Sequence, residues 1–156
     1  MTVITHVQRR SRLSQLIDRP GGLTVGVALA QAEANLAALA DEARRRVLDA
    51  LSVLEAAETV PDEDRPTPAQ AYALCGEVIA AASPFGLDAV CAAASGLCDL
   101  LAAAHERPFD WRIAAVHARA MRLLMDLPAE SEAERQAVLH GLNDIVRRKL
   151  GADQAG

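Results

Sequence analysis

Aromatic residues are scarce: one Trp, one Tyr and two Phe make up 3% of the 156 residues. A core short of large rings has to be filled by Ala, Leu and Val, which supply most of the 51% hydrophobic content, and that mixture favours helices that approach one another closely. Long apolar runs are missing as well, because even the Ala-rich stretches carry a charge every few positions, so no membrane span is expected. The first residues lack the apolar centre of a secretory signal. Cations are outnumbered, 16 Lys and Arg against 21 Asp and Glu, and the net charge of -5 argues against broad binding to nucleic acid. The three cysteines, Cys75, Cys91 and Cys98, form no C-x-x-C pair and are odd in number, which suits buried thiols in a reducing compartment and hence the cytoplasm. Cys91 and Cys98 stand seven apart on one side of a helix with no His nearby, so neither a metal site nor a cofactor is expected.

What is present reads as helices. The length allows one domain with a real core and is short for two. Residues 1–22 form a basic arm, with Arg9, Arg10 and Arg12, and a Pro20-Gly21-Gly22 turn; a single bundle domain is expected over 23–151 and a short tail over 152–156. Thr24 is placed to cap a helix that meets no proline from Val25 to about Glu58, with Leu29, Leu36, Ala40, Ala43, Val47, Leu51 and Leu54 recurring at helical spacing. At 1.5 Å per residue such a helix would be about 51 Å long, so it could project or pair with a second copy. Thr59 to Pro66 is an acidic linker, and Glu55, Glu58, Asp62, Glu63 and Asp64 read as solvated charge.

Thr67 as cap and Pro68 at the first helical position open a second helix, which Pro84 and Gly86 stop. A third runs from Leu87 to about His105, with Asp88, Ser95, Asp99 and Glu106 opposite Val90, Ala94, Leu97 and Leu101. After Pro108, Asp110 caps a fourth whose apolar face is expected at Ile113, Val116, Ala120, Leu124 and Leu127, with Phe109 and Trp111 as packing anchors at its start. Ser131 and Glu134 propose a capping box for a fifth, with Val138, Leu142, Ile145 and Val146 inward and Gly151 as the stop. Strand-like alternation is absent, so the fold class is all-α: an antiparallel bundle of four to five helices.

Within this frame, the helix ending at Phe85-Gly86, followed by Leu87-x-x-Val90 and Leu97-Cys98-x-Leu100-Leu101, resembles histidine phosphotransfer (Hpt) domains. In that family the helix before the aromatic-Gly turn carries His, Lys three residues on and Gly four residues on. Setting the register from Phe85-Gly86 puts Gly76 in the histidine slot, Ile79 in the lysine slot and Ala80 in the glycine slot. Residues 11–22, Ser-Arg-Leu-Ser-Gln-Leu-Ile-Asp-Arg-Pro-Gly-Gly, are also similar to the CheE type of small alphaproteobacterial proteins found with chemotaxis operons. The resemblance implies a two-component or phosphorelay setting in chemotaxis and a response-regulator receiver domain as partner. It also implies a chain that is not an enzyme, since glycine offers no nucleophile and isoleucine no cation.

Projected at 100° per residue, Leu74, Val78 and Ala81 should face the bundle, and Tyr72, Gly76, Ile79 and Ser83 should point away, giving with Ala80 a small, nearly uncharged face for a partner. A register slip of one residue would instead put Cys75 in the acceptor slot, on the buried side. Among the histidines, His6 lies in the arm, His105 ends a helix where a cation suits the dipole, and His117 borders an apolar face. His140 is expected exposed in mid-helix and is the acceptor to test if the chain is instead an active phosphorelay protein, although Asn143 and Asp144 stand where a cation is needed. A third possibility is a structural homodimer formed through the helix at 25–58. No Gly-rich phosphate loop, Ser-His-Asp set or H-E-x-x-H occurs.

Overall fold

The computed structural model describes residues 24–104 and 108–153. It holds five α-helices: α1 (Val25–Ala56), α2 (Pro68–Ala82), α3 (Asp88–Ala103), α4 (Trp111–Asp126) and α5 (Glu132–Asp153), with short 3-10 turns at Asp62–Asp64 and Ser83–Phe85. No strand occurs among the described residues, so the chain is all-α as expected. The basic arm, His6, His105 and Glu106 fall outside the described residues. The chain divides into two units at Ala37 and Ala38, inside α1.

In the first unit α1 begins as the sequence suggests, with the Val27 N–H 3.4 Å from the Thr24 hydroxyl oxygen, and every side chain from Thr24 to Ala37 is exposed.

From Ala38 onward the helices run up and down. Arg119 meets Glu58 at 3.0 Å, Arg122 meets Glu55 at 3.0 Å and Arg44 meets Asp126 at 2.6 Å, an order that makes α1 and α4 antiparallel. Lys149 lies 3.9 Å from Asp110, which aligns the end of α5 with the start of α4. The core gathers Val47, Leu51 and Leu54 of α1, Cys75 and Val78 of α2, Val90 and Leu97 of α3, and Met121 of α4. Between these lie Ala71, Ala82, Ala93, Ala94, Ala114 and Ala118, all buried, so small side chains set the helix contacts in place of rings. Each large aliphatic side chain buried there contributes about 1.5–3 kcal/mol of transfer free energy.

Caps and turns explain where the helices end. Arg65 donates from Nε to the Ala57 carbonyl at 2.8 Å and from Nη2 to the Val60 carbonyl at 2.9 Å, and pairs with Asp62. One side chain thus satisfies the carbonyls left open past α1. Asp110 accepts the Arg112 N–H at 3.2 Å to cap α4, and the hydrogen bond from the Arg112 side chain holds its carboxyl below the usual carboxylate range. Phe109 and Trp111 meet edge to face with ring centroids 5.1 Å apart, both half-buried against the core, as expected of anchors at this junction.

Four expectations need correction. The inward face of α4 is Ala114, His117, Ala118, Met121 and Met125 with Leu124, whereas Val116 is 41% exposed and Ile113, Ala120 and Leu127 are half-buried. Packing of Ala114, Ala118, Met121 and Met125 on the core turns Val116 outward, and the same rotation brings Arg119 and Arg122 to Glu58 and Glu55. For the same reason Glu55 and Glu58 are not solvated linker charge but ion-pair partners, while Asp62, Glu63 and Asp64 are exposed. In α2 the buried line is Ala71, Cys75, Val78 and Ala82, with Leu74 and Ala81 half-buried on its flank. Finally, α5 passes through Gly151 to Asp153, and of its predicted inner face Leu142 is buried while Val138, Ile145 and Val146 are half-buried.

Candidate protein-docking face

The outward side of α2 is set by how that helix is started and stopped. At its start the Gln70 N–H donates to the Thr67 hydroxyl at 3.2 Å and the Gln70 side chain accepts from the Thr67 N–H at 2.8 Å, a complete capping box with Pro68 behind it. At its end the chain tightens through Ser83-Pro84-Phe85 and reverses at Gly86, whose φ of 68° is left-handed. The Leu87 N–H then reaches back to the Ala82 carbonyl at 3.4 Å, so α3 returns alongside α2.

With Cys75 and Val78 directed inward, Tyr72, Gly76, Ala80 and Ser83 are exposed, as expected. Ile79 is not: it is half-buried and packed on the core, because it lies on the flank that meets α3, where Cys91 Sγ sits 4.0 Å from the Ile79 carbonyl oxygen. Nothing lies within 4 Å of the position a Cβ would take on Gly76, so the slot is open to a neighbouring molecule. From α3 the face gains exposed Asp88, Ser95 and Asp99 and half-buried Cys91 and Cys98, with the Ser95 hydroxyl folded onto the Cys91 carbonyl at 2.9 Å.

Charge on this face is of one sign. The sequence holds no Lys, Arg or His from Pro66 to Ala104, and the charged residues of α2 and α3 are Glu77, Asp88 and Asp99. Sequence patterning drew attention to the missing nucleophile and lysine of one turn; the spatial arrangement adds that the neighbouring helix supplies no cation in their place. A phosphoryl group set over Gly76 would therefore find neither a nucleophile beneath it nor a cation on α2 or α3 to hold its oxygens.

The other acceptor candidates divide by burial. Cys75 is fully buried, and burial, with the Cys98 thiol beside it, pushes its thiol far up, so the alternative register places an inert group in the slot. His117 is fully buried with Nδ1 2.9 Å from the Ile113 carbonyl, and burial pushes its imidazole down, away from the charged form. His140 is exposed, with Nε2 3.5 Å from the Asp144 carboxylate. Among the described residues no three His, Cys, Asp or Glu side chains come together as a metal site, and no helix is long and apolar enough to cross a membrane.

No family model, curated protein or solved structure matches this chain. The chemistry available at the face is what its own residues provide: a small, open strip of Tyr72, Gly76, Ala80 and Ser83 bordered by carboxylates.

Proposed function

We propose that the chain is a non-catalytic, Hpt-like signalling adaptor that docks a response-regulator receiver domain through the outward side of α2, in a two-component pathway of the chemotaxis type. The observation that carries this reading is the open strip of Tyr72, Gly76, Ala80 and Ser83, four exposed uncharged positions on a helix whose one charged residue is Glu77. A solvated helix face ordinarily carries charges, and one that does not is suited to being covered. Tyr72 is the anchor of this contact, with half of its surface free and a ring that can be buried against a partner. Gly76 lets the partner's backbone approach the helix closely, and Asp88 and Asp99 favour a rim bearing Lys or Arg. Docked in this way the receiver would be sequestered or positioned and would keep its phosphoryl group.

Titration against the receiver domains of the chain's own genome tests the reading. Binding that weakens at least about tenfold in Gly76→Arg, and also in Tyr72→Ala, is expected. Absence of binding to any receiver, or affinity unchanged in both variants, would overturn it.

One observation favours a second reading, phosphorelay through His140: its side chain is exposed. Against it, the nearest charged group recorded for the ring is the Asp144 carboxylate, which repels phosphoryl oxygens. Acid-labile label transferred from a phosphorylated receiver to the parent, but not to His140→Gln, would establish that route.

A further inference from the structure

The apolar stripe of α1 runs its whole length, and among the described residues its second half is buried while its first half is exposed. Val47, Ala50, Leu51 and Leu54 are buried in the core, yet on the same helix Leu29, Leu36 and Leu39 remain 59%, 42% and 52% exposed. Projected at 100° per residue, Val25, Leu29, Ala32, Leu36, Leu39 and Ala43 fall on the same side of the helix as those core residues. They also alternate at spacings of four and three, the a and d positions of a coiled coil, along about 28 Å. Between Val25 and Ala40 the only charged residue is Glu33. An isolated helix of this length is marginal in water, so a face this apolar needs a second surface to hold it.

We infer that two copies of the chain associate through residues 25–43 of α1, packed antiparallel. The direction follows from volumes. A parallel pair would stack Leu on Leu and Ala on Ala, alternating crowded and empty layers. An antiparallel pair sets Val25 opposite Ala43, Leu29 opposite Leu39 and Ala32 opposite Leu36, which evens them out.

Two further features agree with that register. Ala43 lines an open, mostly apolar groove of about 180 Å³, shared with Ala40, Val47, Ala81, Phe85 and Leu87 and edged by Asp41 and Arg44, and the Val25 of a second copy would arrive beside it. Glu42 would stand next to Ala28 of the other copy, at a helix start that has no acidic residue in its own first turn, where a carboxylate complements the positive end of the dipole. The same register brings Glu33 beside the Glu33 of the other copy, a repulsion that limits affinity.

The test is sedimentation of the full chain over a concentration series, with half-association expected at about 10–100 µM for so short a seam. Leu29→Glu with Leu36→Glu should be monomeric with the cooperative unfolding of the bundle from Ala38 onward unchanged, since both side chains are exposed, whereas Val53→Glu, exposed on α1 but outside the seam, should associate like the parent. Glu33→Gln should tighten the dimer severalfold if the pair is antiparallel. When Ala32→Cys and Leu36→Cys chains are mixed and oxidised, the 32-to-36 heterodimer should dominate. A parent chain that stays monomeric to about 200 µM, or a dimer untouched by the paired Glu substitutions, would overturn the inference. Predominance of 32-to-32 product would overturn the antiparallel arrangement. None of these substitutions alters Tyr72, Gly76, Ala80 or Ser83, so the receiver titration reads the α2 face separately from the dimer.

Discussion

His117 offers the sharpest physical test of the bundle. It is fully buried in α4, its Nδ1 is 2.9 Å from the Ile113 carbonyl, and its Nε2 has no hydrogen-bond partner among the described residues. Burial lowers its pKa from the ordinary value of 6.5, so the folded chain holds the ring neutral while the unfolded chain protonates it near that value. The unfolded state therefore binds more protons below 6.5, and the stability contributed by the neutral ring, complete above that pH, is lost as pH falls toward the folded value. One unit below 6.5 the loss approaches about 1.4 kcal/mol. Urea unfolding at pH 7.5 and 5.5 should show His117→Leu losing less stability than the parent, by up to about 1.4 kcal/mol. At pH 7.5 the variant should stay within about 1 kcal/mol of the parent or exceed it, because removing a buried unpartnered nitrogen offsets the altered packing. Equal losses in the two proteins between these pH values would refute the assignment of a neutral buried imidazole.

Two other substitutions probe the joints on either side of α2. Arg65→Met should lower stability by about 2–3 kcal/mol in urea unfolding, because it leaves the Ala57 and Val60 carbonyls without their donors; Arg65→Lys, which cannot span both, should recover less than half. Gly86→Ala meets no atom within 4 Å but must hold a φ of 68°, so it should cost about 1–2 kcal/mol, and Gly86→Asn distinctly less. The same loss for Asn and Ala would show that backbone strain is not the cause.

How far the candidate face could be read from the sequence depends on the residue. The exposure of Tyr72, Gly76, Ala80 and Ser83 follows from helical periodicity once Thr67-Pro68 and Pro84-Gly86 mark the ends, because those signals are local. Ile79 escapes it, since whether a flank residue meets solvent depends on where the next helix lies, and α3 lies against it. The sequence places His117 at the edge of the apolar face; that it is fully buried while Val116 is exposed depends on which stripe of α4 packs on the core, which residues far away in the chain decide.

By itself the sequence determined that the chain is helical, where α2 and α4 begin, and that a core poor in rings must be closed by alanine. It did so because capping, helix termination and residue volume act over a few neighbouring positions. Only the tertiary structure decided which face of each helix is buried. It set Ile79 against α3, paired the acidic end of α1 with the arginines of α4, and left the Val25 to Leu39 part of the α1 stripe exposed. Those outcomes depend on which helices lie side by side, and a periodic pattern of Ala, Leu and Val satisfies several such arrangements until long-range ion pairs and close packing select one.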